Sequence, residues 1–264
     1  MARSILVTND DGIDAPGLWA LVRAVAPIAD ELHVVAPSAN QSAVGAGFTL
    51  RRELHWERVA EPRVPGVDAW HVDGTPADCV MVALDKVIEG EVDMVVSGVN
   101  FGANVGQDVL ASGTVGGALG GHLRGKVAVA FSQVVGDINA SHDDIDWSTA
   151  ERVAAMICRA EVEGSLPASL FLNVNIPRIP FEELAGVLVT RMGRVGYVRV
   201  MELTGNRTML ERDVDLNTHP ETPPGTDVWA LAHGYVSVSP LQSNLTDHRL
   251  IDPLGQKLNE AFRA

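Results

Sequence analysis

SILVTNDDG, residues 4–12, is the stretch that decides the fold of this chain. Residues 4–8 form a short apolar and β-branched run, which predicts a buried strand. Residues 9–12 have the composition of a turn, and Pro16 then opens an amphipathic helix. A buried strand, a turn and a helix make the first half of a βαβ unit, so the stretch predicts an α/β protein built on a parallel sheet.

The same alternation of apolar runs and helix starts continues to about residue 185. Thr75 and Pro76 have the residue types of an N-cap and a first helical position, and another helix is predicted to begin at residues 112–114. A hairpin between residues 48–56 and 69–72 is also expected. Buried strands are predicted at residues 4–8, 32–36, 94–97, 127–132 and 171–176, which makes a sheet of about five or six strands.

The pattern changes after residue 185. Alternating runs at residues 187–191, 197–202 and 209–214 predict antiparallel hairpins. A loop is predicted at residues 221–225, a return strand at 235–239 and a final helix at 254–262. The predicted fold is Rossmann-like: a mostly parallel sheet flanked by helices, with a protruding C-terminal β-hairpin region. We divide the chain into an α/β core, an extended hairpin region, and a return strand with the C-terminal tail, at residues 1–185, 186–234 and 235–264.

Composition excludes several classes of protein. The 264 residues include 34 Asp and Glu against 20 Lys and Arg, a net charge of −14, whereas binding to nucleic-acid polymers needs a basic surface. The start of the chain has no apolar run of the kind found in signal peptides or membrane spans, so we expect a cytoplasmic protein that does not bind membranes. Cys79 and Cys158 lie too far apart for a CxxC motif and are expected to be buried thiols.

Asp10 and Asp11 follow the first strand, at the sheet edge where open parallel sheets bind ligands. Two adjacent carboxylates need positive charge nearby, and hard divalent cations such as Mg²⁺ or Mn²⁺ supply it. The alternative is that both residues only stabilise the turn, because Asp-Gly is a common turn sequence. Ser42 and Asn100 follow two other strands and could add neutral oxygen ligands, although each is by itself a common turn former.

Ser112-Gly113-Thr114 at a predicted helix start offers backbone N–H groups and hydroxyls to an anion. Ordinary N-capping is the alternative. Asn104 and Asp108 precede this start and would line the loop over the site.

Other motifs do not fit known sites. Residues 120–126 match a GxxxxGK pattern, but Val127 replaces the Ser or Thr that a P-loop needs, and no GxGxxG follows the first strand. His122 is close to the helix predicted to bind an anion and could act as an acid or a substrate contact. Arg191, Arg194 and Arg199 are interpreted as a solvated surface, with contact to a substrate or partner as the alternative.

The ordered motifs LVTNDDG, VVAPSANQSAVG, GTPADCV, SGVNFGANVG, SGTVGGAL, LNVNIP and GYVSVSPL resemble the SurE family of survival proteins, which are metal-dependent nucleotidases. The resemblance implies a phosphomonoesterase that hydrolyses nucleoside 5′- and 3′-monophosphates, and short polyphosphate as a further substrate. It also implies one Mg²⁺ or Mn²⁺ ion per subunit. Homodimers or homotetramers that exchange C-terminal segments are typical of the family, so residues 186–234 are expected to make contacts between subunits.

The resemblance assigns roles to residues of this chain. The cation ligands it implies are Asp10, Asp11, Ser42 and Asn100. Ser112, Gly113 and Thr114 would receive the phosphate, and Asn9, Asn100, Asn104 and Asp108 would surround it. Asp10, Asp11, Asn9 and Ser112 would take part in the reaction, Asn9 by orienting the water or the phosphate.

This chain departs from the family pattern at two positions. Ala111 replaces an aromatic residue before SGTV, and Gly120 replaces an acidic residue of the helix. Because an aromatic side chain could stack on a base, the base preference stays open. A nucleotide-binding module without catalysis and a nucleotide-sugar transferase remain as alternative functions.

Overall fold

A computed structural model describes residues 3–136, 140–167, 169–194, 198–202, 208–212 and 222–263. The strands are β1 Ser4–Thr8, β2 Glu31–Pro37, β3 Trp56–Arg58, β4 Asp68–Val72, β5 Met94–Phe101, β6 Val127–Gln133, β7 Phe171–Ile176, β8 Gly186–Val189, β9 Val198–Glu202, β10 Thr208–Arg212 and β11 Tyr235–Pro240. The helices are α1 Pro16–Val25, α2 Pro76–Val82, α3 Gly113–Leu123, α4 Ser148–Val162, α5 Asp227–Ala232 and α6 Ile251–Arg263.

The main sheet is mostly parallel, and the α/β fold class is confirmed. Its strand order is β3-β4-β2-β1-β5-β6-β7-β11-β8, with antiparallel pairs only at β3 with β4 and at β7 with β11 among the described strands. The sheet therefore has nine described strands, and the prediction of five or six was wrong. The prediction fell short because β3, β4, β8 and β11 extend the two ends of the sheet, where strands are short or partly exposed.

Two predicted hairpins differ from the structure. The run at 187–191 was expected in an antiparallel hairpin, but β8 pairs in parallel with β11 at the edge of the main sheet. Its alternation reflects one exposed face and does not specify the direction of the partner strand. The hairpin predicted between residues 48–56 and 69–72 is confirmed in part, because β3 and β4 pair antiparallel with Trp56 opposite Val72. Residues 48–55 belong to no strand, and the Thr49 N–H donates to the Asp78 carboxylate, 3.0 Å away.

The second sheet contains β9 and β10, an antiparallel pair. This pair confirms a hairpin within the runs predicted at 197–202 and 209–214, whose ends lie outside the described residues. The assignment of residues 186–234 to contacts between subunits stays a prediction.

The central strands β1 and β5 are buried along their whole length. Side chains of α1 and α4 pack on one face of the sheet, and side chains of α2 and α3 pack on the other face. Strands buried on both faces are continuous apolar runs, which is how the sequence revealed them. Because β1 and β5 are parallel neighbours, the loops that follow them lie at the same edge of the sheet.

The helices begin where their capping residues predicted. Pro16 opens α1, Thr75 and Asp78 form a capping box at α2, and Ser112 caps α3. Cys79 and Cys158 are buried free thiols, as expected, and burial raises the pKa of Cys158 to about 12. None of the helices in the described part of the chain has the length and apolar character needed to cross a bilayer.

Candidate metal and phosphate site

Asn9 closes the turn that follows β1. Its side-chain nitrogen donates to the Gly12 carbonyl, 2.9 Å away, and its side-chain oxygen accepts from the Gly12 N–H at 3.3 Å. Gly12 has a φ of +104°, which only glycine adopts without strain. In this structure Asn9 therefore shapes the aspartate turn, and its predicted contact with water or phosphate stays a prediction.

Asp10 and Asp11 are held by different parts of the protein. Asp10 Oδ1 accepts from the Thr114 hydroxyl at 2.5 Å, at the N-terminus of α3. Asp11 Oδ2 accepts from the Phe101 N–H at the end of β5, 3.1 Å away, and Asp11 Oδ1 lies 3.4 Å from Asn40 Nδ2. The pair thus joins β1 to α3, to β5 and to the loop after β2.

The Asp10 carboxyl has a perturbed acidity. Burial and the neighbouring charge of Asp11 raise its pKa to about 7, although hydrogen bonds from Thr114 oppose the change. Ionising both carboxyls therefore costs free energy that a bound divalent cation would offset. The donor set fits such a cation, because two carboxylates with neutral oxygens and water are suitable ligands for Mg²⁺ or Mn²⁺.

The loop that carries Ser42 is attached to the aspartate turn. Gln41 N–H donates to the Asp10 carbonyl at 2.7 Å, and the Ser42 N–H donates to Asn40 Oδ1 at 2.9 Å. These bonds bring Ser42 beside Asp10 and Asp11, and the residue is exposed. Its hydroxyl can therefore be reached by a ligand that enters from solvent.

Asn100 lies near the end of β5 and is buried. Its side-chain nitrogen donates to the Gly102 carbonyl at 2.7 Å, which directs its oxygen to the opposite side of the amide group. The backbone N–H of the next residue, Phe101, donates to Asp11, so Asn100 directly precedes a residue that contacts Asp11. The structure therefore brings the four predicted cation ligands to the same edge of the sheet.

The N-terminus of α3 packs directly on Asp10. A Cβ atom at Gly113 would lie 2.8 Å from Asp10 Cβ and Oδ2 and 3.0 Å from the Gln41 carbonyl oxygen, closer than a side chain allows. The Ser112 hydroxyl accepts from the Val115 N–H at 3.1 Å, so Ser112 is the N-cap of α3, as the alternative to anion binding predicted. Capping does not exclude contact with phosphate, and the roles of Ser112, Gly113 and Thr114 with substrate stay predictions.

Two predicted residues lie in the segment between β5 and α3. The Asn104 amide donates to the Ser132 hydroxyl at 2.9 Å and approaches the Thr114 hydroxyl at 3.4 Å. Asp108 is buried in a 3₁₀ helix, Gly106–Leu110, and its carbonyl accepts from the Ala111 N–H at 3.0 Å. Asn104 thus reaches the site through Thr114, and the contact of Asp108 with substrate stays a prediction.

Four polar residues near the site were not predicted as site residues. Asp227 accepts from the N–H groups of Gly106 and Gly193, and so joins the loop before α3 to the segment after β8; burial raises its pKa. In the sequence, Asp227 shows only as an acidic residue at a helix start, which does not indicate a contact with the site. Asn173 and Asn175 alternate in an otherwise apolar strand, and that pattern was a usable signal. The full set is Ser132, Asn173, Asn175 and Asp227.

His122 does not belong to the site. Its ring stacks on Phe171, with 5.1 Å between ring centroids, near the C-terminal end of α3. Ten residues of helix separate it from Ser112, about 15 Å at the usual rise per residue. The suggestion that His122 is an acid or a substrate contact was therefore wrong.

The two departures from the family pattern have different positions. A Cβ atom at Gly120 would lie 3.5 Å from Val80 of α2, so this residue faces a neighbouring helix and not the site. Ala111 is exposed, and its carbonyl accepts from the Gly45 N–H at 2.9 Å beside the site. Only the change at Ala111 can therefore alter contacts with a substrate.

Among the described residues, no three His, Cys, Asp or Glu side chains form a group that could hold a metal. A site at Asp10 and Asp11 would therefore depend on neutral oxygen donors and water for its remaining ligands. Arg191 and Arg194 are exposed, as interpreted from the sequence, while the side chain of Arg199 lies outside the described ones.

Comparisons with known proteins place this geometry in context. The family model described as "Survival protein SurE" matches residues 5–199. A 5′-nucleotidase SurE of Methylocella silvestris is 38% identical over 257 residues, which cover 96% of this chain and 99% of that protein. A 5′-nucleotidase SurE of Moorella thermoacetica is 40% identical over 255 residues, 92% of each chain. The crystal structure of the SurE protein from Aquifex aeolicus superimposes with a TM-score of 0.79 at 33% identity, covering 95% of this chain and 98% of that one.

Proposed function

The chain belongs to the SurE family, and we propose that it is a nucleotidase that uses a divalent cation to hydrolyse nucleoside monophosphates to nucleoside and inorganic phosphate. The family predicted from the ordered motifs is confirmed, since the match to the family model runs over most of the chain. The relatives from Methylocella silvestris and Moorella thermoacetica, which align with 96% and 92% of this chain, are both named 5′-nucleotidase SurE. The finer parts of the proposal depend on the residues of the site.

The observation that carries the cation is the aspartate pair, of which Asp10 is buried and Asp11 is partly exposed. Asp10 and Asp11 lie together at the end of β1, and the pKa of Asp10 is raised to about 7 by burial and by the second carboxylate. We assign Asp10, Asp11, Ser42 and Asn100 as ligands of one Mg²⁺ or Mn²⁺ per subunit. When bound, such a cation polarises the phosphoryl oxygens and lowers the pKa of a water molecule for attack on phosphorus.

The remaining residues bind and orient the substrate. The N-terminus of α3 packs on Asp10, and its first N–H groups, at Gly113 and Thr114, can stabilise negative charge on the phosphate together with the Ser112 hydroxyl. The Thr114 hydroxyl donates to Asp10, so Thr114 would contact the phosphate through its backbone. Asn9 would orient the water or the phosphate, and Asn104 and Asp108 would line the pocket. With His122 about 15 Å from the start of α3, the leaving alkoxide would take its proton from water.

Phosphate release from 5′- and 3′-nucleoside monophosphates and short polyphosphate tests the function. We expect release with Mg²⁺ or Mn²⁺ and none in EDTA. Nucleotide that binds under every metal condition without release of phosphate would favour the binding module. Release of nucleoside diphosphate from a nucleotide sugar would favour the transferase.

We further propose a homodimer or homotetramer with exchanged C-terminal segments. Every residue of α6 is exposed or partly exposed, including its apolar residues Leu254, Leu258 and Phe262. Leu254 and Leu258 are four residues apart and so share one face of the helix. A variant with Leu254→Asp and Leu258→Asp should have a lower mass by light scattering than the wild type, and an unchanged oligomer mass would contradict the role of this face.

A further inference from the structure

Two asparagines of β7 hold one residue of the loop above the site. Asn175 accepts from the Asn104 N–H at 2.8 Å and donates to the Asn104 carbonyl at 2.9 Å. Asn173 donates to the same carbonyl at 2.8 Å. All three residues are buried, so water does not compete for these bonds. The backbone of Asn104 is thereby fixed on both its donor and its acceptor side.

The side chain of Asn104 continues this set of bonds toward Asp10. Its Nδ2 atom donates to the Ser132 hydroxyl at 2.9 Å and faces the Thr114 hydroxyl at 3.4 Å. The Thr114 oxygen in turn lies 2.5 Å from Asp10 Oδ1. Because an amide nitrogen can only donate, the Thr114 hydroxyl accepts from Asn104 and directs its own proton to Asp10.

We propose that Asn173 and Asn175 are positioning residues for the cation site, which hold Asn104 and Thr114 so that the Asp10 carboxylate keeps the orientation needed to bind the ion. The proposal rests on the proposed function for the presence of a cation. Partners that orient a metal-binding carboxylate through hydrogen bonds commonly change metal affinity when they are removed.

Strand stability alone does not account for the two asparagines. The pairing of β7 with β6 and β11 is made through backbone groups, which any residue other than proline provides. A buried amide costs free energy unless it is hydrogen-bonded, and Asn173 Oδ1 has no partner within the described part of the chain. Apolar residues, as at Leu172 and Val174, would fill a buried strand at lower cost, so the amides serve the contact with Asn104.

Substitution of Asn175 and Asn173 by alanine tests the proposal, with Mn²⁺ alone as the probe. Asn175→Ala loses both contacts with Asn104 and is expected to weaken Mn²⁺ binding by about 10–100-fold in calorimetry. Asn173→Ala keeps the bonds from Asn175 and should have a smaller effect. With nucleotide at saturating Mn²⁺, kcat should fall while KM changes little. Asn173→Ala also provides the test if Asn175→Ala does not fold.

Ser237→Ala is the matched control. Ser237 lies opposite Asn175 on β11, is buried, and makes a 2.8 Å hydrogen bond to Thr190 that leads away from the site. This variant should have a lower melting temperature and unchanged Mn²⁺ affinity. Unchanged Mn²⁺ affinity in both asparagine variants, with only a lower melting temperature, would overturn the proposal.

The same measurements separate this proposal from the proposed function. A wild-type protein that binds Mn²⁺ and releases no phosphate would contradict the nucleotidase, while weaker Mn²⁺ binding by the asparagine variants would still support positioning. A wild-type protein without Mn²⁺ binding would overturn the positioning role itself.

Discussion

Asp11→Asn is expected to lower kcat/KM for phosphate release by roughly a hundredfold or more, because it removes one of two charged cation ligands. The side chain keeps its size, and an amide oxygen can still accept from the Phe101 N–H, so the turn and the fold should be retained. The charge of Asp11 is one cause of the raised pKa of Asp10, and its removal should lower that pKa. Phosphate release on the folded variant measures the loss of activity, and Mn²⁺ calorimetry over a range of pH measures the change in the pKa of Asp10.

Asp14→Asn is the control for this variant. Asp14 is an exposed carboxylate three residues after Asp11, and the same substitution changes the net charge by the same amount. Its activity and Mn²⁺ affinity should equal those of the wild type. That result would show that the loss in Asp11→Asn comes from the site and not from the change in net charge. Asp11→Asn with full activity would remove Asp11 from the site and contradict the cation mechanism.

Gly113→Ala should reduce activity by about a hundredfold while α3 stays formed. Helix propensity by itself favours alanine over glycine by about 1 kcal/mol in a helix interior. At this position the new Cβ would lie 2.8 Å from Asp10 Cβ and Oδ2, so Asp10 or the start of α3 must shift. A displacement of about 1 Å at a reacting group costs roughly a hundredfold in rate. Steady-state kinetics and circular dichroism distinguish this loss from unfolding.

Gly120→Ala in the same helix controls for the change of residue type. The nearest atoms to its Cβ would be in Val80 at 3.5 Å, an ordinary contact distance. We expect wild-type activity and an equal or higher melting temperature. If Gly113→Ala were as active as Gly120→Ala, the close packing of α3 on Asp10 would not matter for the reaction.

The candidate site depends on the approach of α3 to the end of β1. Gly113 permits the approach, Thr114 donates to Asp10, and the backbone of Gln41 adds the loop that carries Ser42. Each of these contacts joins residues far apart in the chain. The network from β7 through Asn104 and Thr114 ends at the same carboxylate. Asp10 is therefore the residue on which the separate elements converge.

Local sequence determined the central strands and the helix starts. The runs at β1, β5, β6 and β7 are apolar because these strands are buried on both faces, and Pro16, Thr75 and Ser112 mark helix starts through capping chemistry that involves only near neighbours. The order of the motifs identified the family, and the carboxyl ends of β1 and β5 placed Asp10, Asp11 and Asn100 at one edge.

Tertiary structure alone decided the remaining features. The strands β4 and β8 joined the main sheet through parallel pairing with the distant strands β2 and β11, and the direction of that pairing is not encoded in the alternation of a single run. His122 fell outside the site because the length of α3 separates it from Ser112. Asp227 became visible only through the loops it holds. The alternation of Asn173 and Asn175 marks them in the sequence, but their contact with Asn104 does not show there, since a hydrogen bond between distant residues depends on the folded positions of both partners.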